Sequence, residues 1–319
     1  MVLIKGARQA RFDRITDALM QRVHETTLEV NLSAVVQNLN YYRSFMRPET
    51  KMVCMVKASA YGAGAVEIAK TLQDHRVDYL AVAVADEGVE LRRAGITTNI
   101  MVMNPEMSSF HTLFEYQLEP EVYSFRLLHA LIQAAGREGI TNFPIHIKLD
   151  TGMHRLGFDP QQDLDSLIAC LHDQNALIPR SVFTHFVGSD SEDFDTFSAR
   201  QWEVFCAAAD HLQDAFPDHI LRHICNSAGI THFPDRHCDM VRLGLGLYGV
   251  NPITECIVDS KCIVHSAEVH SDTFAAGNPE SQQSLCTMHS STMHSSTMHS
   301  STMHSSTMHS STMHSSTMH

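Results

Sequence analysis

The chain reads as an α/β protein built on a (β/α)8 TIM barrel, with a short N-terminal extension and a disordered, low-complexity C-terminal tail. Three observations predict the barrel. Eight short apolar runs, at 51–57, 79–84, 100–103, 119–123, 145–149, 179–184, 222–225 and 240–243, have the length and composition of strands. Amphipathic helical patterns at 65–72, 87–93, 126–135, 164–171 and 199–216 lie between them. Lys57, His185, Asn226 and Arg242 all fall at or just beyond the carboxyl ends of these runs, the face on which such barrels carry active sites. A doubly wound open sheet would show the same alternation. The glycines after the first run, however, lack the GxGxxG spacing of a dinucleotide site.

Composition bounds the function. At 319 residues and 44% hydrophobic, the chain can build one large core or two ordinary ones. A formal charge of −13 argues against nucleic acid and against anionic membrane surfaces as partners. No apolar stretch is long enough to span a bilayer, and the first ten residues lack the apolar core of a signal peptide, which points to the cytoplasm. Cys54, Cys170, Cys206, Cys225 and Cys238 are scattered with no CxxC pair, so small buried thiols are expected rather than a metal site.

The first run ends in MVKASAYGAG, residues 55–64. Partial desolvation at a strand end would free the Lys57 amine to bond a carbonyl carbon, and Gly62 and Gly64 would allow a tight turn into the next helix. A surface lysine fraying from a core strand is the plain alternative. Later segments bear on that choice: IKLDTGMHRLGF at 147–158, Thr184-His185-Phe186, LRHICNSAG at 221–229 and MVRLGLGLYG at 240–249.

In order and approximate spacing these segments resemble the alanine racemases, pyridoxal-phosphate enzymes whose amino-terminal domain is a (β/α)8 barrel. The resemblance covers about 25–252. It implies an isomerase that interconverts L-alanine and D-alanine, supplying D-alanine for peptidoglycan and the bacterial cell wall, and acting as a homodimer. Pyridoxal 5'-phosphate is the implied cofactor. By the same resemblance Lys57 would hold the cofactor aldehyde covalently and serve as the base toward D-alanine. Tyr61, Ser227 and the backbone amides of Gly244 and Leu245 would cup the phosphate. Arg242 would face the pyridine nitrogen. An arginine stays charged, so it would not readily protonate that nitrogen, and the weakened electron sink would restrain side reactions. His185 would help hold Arg242, and Asn226 would shape the same wall. Arg155 would meet the phenolic oxygen of the cofactor and the substrate carboxylate. Lys148, often carbamylated in this family, would hold Arg155; a structural ion pair of Lys148 and Arg155 with Asp150 or Asp159 is the alternative.

The ends of the chain carry further expectations. Residues 2–21, VLIKGARQARFDRITDALMQ, resemble the last segment of a Mur ligase that adds D-alanyl-D-alanine to the UDP-N-acetylmuramoyl tripeptide. Residues 1–24 thus read as a ligase remnant ahead of the barrel, or as an ordinary leader helix. Beyond 252 the resemblance stops. Residues 253–319 end in TMHSS repeats, which offer no large aliphatic or aromatic side chain to a core. The family's second base is a tyrosine of a carboxyl-terminal β domain, whereas the last tyrosine here is Tyr248. A truncated, poorly active racemase is therefore expected, with a strand at 27–31 left without pairing partners. A single-domain pyridoxal-phosphate homeostasis protein and a non-catalytic remnant remain as alternatives.

Overall fold

The structure, a computed structural model, describes residues 27–250 together with the strand Val269–His270. The expected ligase-like segment at 1–24, and the tail at 253–319 apart from that strand, lie outside the described residues. The elements run β1 (Thr27–Leu28), α1 (Leu32–Arg43), β2 (Lys51–Met55), α2 (Ala65–Asp74), β3 (Tyr79–Val82), α3 (Ala85–Arg93), β4 (Asn99–Val102), α4 (Phe110–Glu115) and β5 (Leu118–Val122). They continue through α5 (Phe125–Glu138), β6 (Phe143–Lys148), α6 (Leu164–His172), β7 (Leu177–Phe183), α7 (Asp195–Asp214), β8 (Leu221–His223), α8 (Ser227–His232), β9 (Met240–Leu243) and β10 (Val269–His270). β2 to β9 form one closed parallel barrel, sealed where Lys51–Cys54 pair with Met240–Leu243. Closure excludes the open doubly wound sheet. β1 pairs antiparallel with β10, Thr27 opposite His270 and Leu28 opposite Val269, which corrects the expectation of a strand without partners.

Two apolar layers follow from strand alternation. Residues on one side of each strand pack outward against the helices, forming the large cluster of Leu39, Ile68, Leu80, Ile100, Leu128, Ile147, Phe205 and their neighbours. The other side fills the barrel. Val53, Met55, Tyr79, Ala81, Met101 and Met240 make a separate apolar cluster there. Apart from Met240 and Phe183, the inward positions of β5 to β9 are different in kind: Glu119, Glu121, His146, Lys148, Ser181, His223 and Arg242 are all buried. Half of the barrel interior is thus polar, and burial of that kind requires partners for every group.

Local chemistry sets the ends and the phase of these elements. Asn31 caps α1 by accepting from Ala34 N, and Ser124 caps α5 by accepting from Leu127 N. α5 stops at Gly139, whose φ of +67° is the left-handed region that glycine tolerates. In β7, Pro179 has no N–H to give the ladder. The register shifts there, from Ile145 opposite Pro179 to His146 opposite Ser181, and the shift brings His146, Lys148, Ser181 and Phe183 into phase. Among the described residues no helix is long and apolar enough to cross a membrane.

Candidate active site

The polar interior opens at the carboxyl ends of the strands, and the segments singled out in the sequence meet there. β2 ends at Met55, two residues earlier than the sequence suggested, because Lys57 begins a turn of opposite hand. Ala58, Ser59 and Ala60 have φ of +52°, +51° and +55°, and Tyr61 follows at +55°. Four consecutive non-glycine residues in the left-handed region are costly, roughly 1–2 kcal/mol each. Such strain persists only where surroundings fix it, and it clusters at functional sites. Here it is anchored at both ends. Ala58 N donates to Glu87 Oε1 at 2.6 Å, while Ala60 is fully buried. The turn leaves Lys57 half-buried, its Nζ 5.9 Å from the centre of the Tyr61 ring.

Tyr61 lies against Tyr248, with ring centres 4.9 Å apart, and Tyr248 donates its hydroxyl to Met55 O at 2.8 Å. Across the same rim, Ser227 Oγ accepts from Gly244 N (2.9 Å) and Gly246 N (3.2 Å). The Gly244 amide is therefore turned onto the serine hydroxyl. A Cβ placed on Gly244 would sit 3.7 Å from both Ser227 Oγ and Tyr61 Oη, so three of the expected phosphate-binding residues converge on one small space. Leu245 is exposed beside them. Asn226 acts on this loop from behind: its Oδ1 accepts from Gly229 N (2.9 Å) as the cap of α8 and from Ser189 Oγ (2.7 Å).

Arg242 forms the inner wall. Its two terminal nitrogens are enclosed by acceptors: Nη1 donates to His223 Nδ1 (2.8 Å) and His223 O (3.3 Å). Nη2 donates to Thr184 O (2.8 Å), Ile224 O (3.1 Å) and His185 Nδ1 (3.2 Å). Burial presses the guanidinium down to about 10, which leaves it charged at neutral pH. Burial, and then the Arg242 charge, hold His185 and His223 well below the ordinary imidazole value. Both rings are neutral acceptors. Because the unfolded chain takes up protons first as pH falls, their contribution to stability is complete above about 6.5 and is lost below it. The thermal unfolding midpoint is accordingly expected to drop between about pH 6.5 and 5. A flat midpoint through that window would mean that these rings are solvated.

The D-T-G-M-H-R-L-G segment closes on itself. Asp150 N donates to Phe158 O and Phe158 N to Lys148 O, both at 2.9 Å, while Asp150 Oδ1 accepts from Gly152 N and His154 N, both at 3.0 Å. A Cβ on Gly157 would lie 2.5 Å from Asp150 N, which is why this position takes glycine. The loop presents Arg155 as an exposed cation with no hydrogen bond or ion pair among the described residues. Lys148 pairs instead with Glu121, Nζ to Oε1 at 2.9 Å, and not with Asp150 or Asp159. Glu121 Oε2 is buried without a partner among the described residues, and burial raises that carboxyl above its usual range. Sequence reasoning missed Glu119, Glu121, His146, Ser181 and His223. The signal was present as E-P-E at 119–121 and H-I-K at 146–148, polar residues at alternate positions of otherwise apolar strands.

Comparison with known proteins points to one family. The profile described as "Alanine racemase, N-terminal domain" matches residues 30–252. "Alanine racemase 1" of Oceanobacillus iheyensis is 34% identical over 226 residues, covering 70% of this chain and 60% of that protein. "Alanine racemase" of Methanococcus maripaludis is 34% identical over 230 residues, covering 72% and 61%. Among solved structures, alanine racemase of Clostridium difficile 630 in complex with cycloserine superposes with a TM-score of 0.70 at 32% identity, covering 75% of this chain and 65% of that one. Alanine racemase of Bacillus anthracis with bound L-Ala-P gives 0.70 at 27% identity, covering 78% and 64%. The chain spans about 60% of the length of these curated relatives.

Proposed function

Because the chain belongs to the alanine racemase N-terminal domain family, we propose that its barrel binds pyridoxal 5'-phosphate and takes part in interconverting L-alanine and D-alanine for cell-wall synthesis. The observation that carries this reading is the convergence at one rim of Lys57, Tyr61, Ser227 and Gly244 in front of a buried, charged Arg242. The donor set suits the cofactor: an amine for its aldehyde, two hydroxyls around a glycine for its phosphate, and a guanidinium for its ring nitrogen. When bound, the cofactor supplies the electron sink that makes the α-proton of alanine removable.

The rest of the chemistry belongs to the chain. The strained turn holds the Lys57 amine at the mouth, where it would hold the cofactor aldehyde and, as a free amine, would serve as the base for the α-proton of D-alanine. Ser227 and Tyr61 would hold the phosphate end of the cofactor and so orient it. Arg242, whose terminal nitrogens are taken by protein acceptors, would have its Nε–H left for the ring nitrogen and would retain its own proton, so ring protonation would be disfavoured and transamination restrained. Arg155, an exposed cation with no hydrogen bond or ion pair among the described residues, would meet the phenolic oxygen of the cofactor and help hold the substrate carboxylate.

Enantiomer-resolved α-proton exchange in heavy water tests this directly. The Lys57 face is expected to exchange the α-proton of D-alanine faster than that of L-alanine. No exchange from either enantiomer, in protein shown to hold the cofactor, would contradict the proposal; equal rates would mean that a second base acts from the opposite face.

A further inference from the structure

Below Arg242 a continuous line of hydrogen bonds crosses the barrel interior. Arg242 Nη1 meets His223 Nδ1 at 2.8 Å, and His223 Nε2 meets Ser181 Oγ at 3.0 Å. Ser181 Oγ meets His146 Nδ1 at 2.7 Å, and His146 Nε2 meets Glu119 Oε2 at 3.0 Å. All five residues are buried. Phe183 stacks on His223, with centres 4.6 Å apart and planes 12° apart, and Tyr79 stands edge-on to His146 at 5.7 Å. The rings therefore have little room to swing.

With both rings neutral, elementary donor counting fixes the polarity of this line, and only then does the buried Ser181 proton have an acceptor within it. A guanidinium can only donate, so neutral His223 accepts at Nδ1 and carries its proton on Nε2. That N–H is given to Ser181, whose single proton is then left for His146 Nδ1. His146 in turn carries its proton on Nε2 and gives it to Glu119, whose carboxylate can only accept. Each donor is used once, and all point from guanidinium to carboxylate. The opposite polarity would need His146 to face Glu119 with a bare nitrogen and His223 to present an N–H to Arg242.

We propose that Glu119 is a positioning residue for Arg242, acting through His146, Ser181 and His223 to lock the ring tautomers that hold the guanidinium aimed at the barrel mouth. The consequence for catalysis rests on the reading above, in which Arg242 faces the cofactor ring. The tautomers themselves do not depend on it. In Glu119→Gln an amide can donate where the carboxylate only accepted, so His146 can reverse, Ser181 can turn toward His223, and His223 can present an N–H that repels Arg242. Hydrogen bonds to charged groups are the stronger ones, and networks of this kind respond as units.

Nitrogen-15 spectra of the histidine side chains test this in the native protein, before and after cofactor loading. His146 and His223 are expected to be neutral with the proton on Nε2 in both states. In Glu119→Gln, His223 is expected to show both tautomers, and α-proton exchange to fall roughly tenfold with KM nearly unchanged. Ser181→Ala, which cuts the line in its middle, is expected to slow exchange to a similar degree. An imidazolium or an Nδ1–H tautomer at either native ring would overturn the proposal, as would an unaltered His223 in Glu119→Gln. Failure of Lys57 to hold the cofactor would instead overturn the functional reading and leave the native tautomers as assigned here.

Discussion

Lys57→Ala is expected to leave the barrel folded and to lower α-proton exchange from D-alanine by about 10²–10⁴-fold, the usual effect of removing a positioned base. Folding should survive because Lys57 is half-buried, forms no ion pair among the described residues and contacts the Tyr61 ring only at 5.9 Å. Truncation at such a site changes stability by roughly half a kcal/mol. The strained turn that follows it is held by Glu87 and by burial of Ala60, neither of which the substitution touches. Denaturant midpoints and exchange rates measured together separate the two effects. An exchange rate within tenfold of the parent would remove Lys57 from the role of base, even with the cofactor still bound.

Arg242→Met is expected to do the reverse and act first on the fold. The guanidinium satisfies three main-chain carbonyls, of Thr184, His223 and Ile224, and two ring nitrogens, of His185 and His223. A thioether supplies no donor, so these buried acceptors lose their partners together. Each such loss costs on the order of 1–3 kcal/mol. Part of it is offset by relief from burying a charge, which leaves an expected destabilisation of about 3–5 kcal/mol. Chemical denaturation reads this directly, and a loss below about 1 kcal/mol would mean that water reaches the acceptors. The same shell explains why Arg242→Glu is a poor probe of chemistry in this barrel. A carboxylate there would face five acceptors, and unfolding would mask any change in reaction type.

The eight barrel strands were legible because each is a short apolar run bounded by helical periodicity, and all eight are found within two residues or so at each end. Their carboxyl ends were less so. β2 stops at Met55 because the left-handed turn after Lys57 is fixed by Glu87 on α3, a contact that local sequence does not announce. α1 was missed since Leu32–Arg43 intersperses Asn and Tyr among its apolar positions, and its seat is made by tertiary contacts such as Asn38 Nδ2 to Leu247 O. At the site, the rim residues were readable from their segments. The interior line from Arg242 to Glu119 was not, because its members come from β5, β6, β7, β8 and β9 and meet only once the barrel closes. His223 lies in LRHICNSAG, where nothing local marks it, although Arg242 depends on it.

Lys57 is the residue proposed to hold the cofactor. Borohydride reduction of the protein loaded with pyridoxal phosphate, followed by peptide mapping, tests that claim most directly. The mass of a reduced pyridoxyl group is expected on the peptide containing Lys57 and to be absent from Lys57→Ala. A label on another lysine, with binding undiminished in Lys57→Ala, would contradict it.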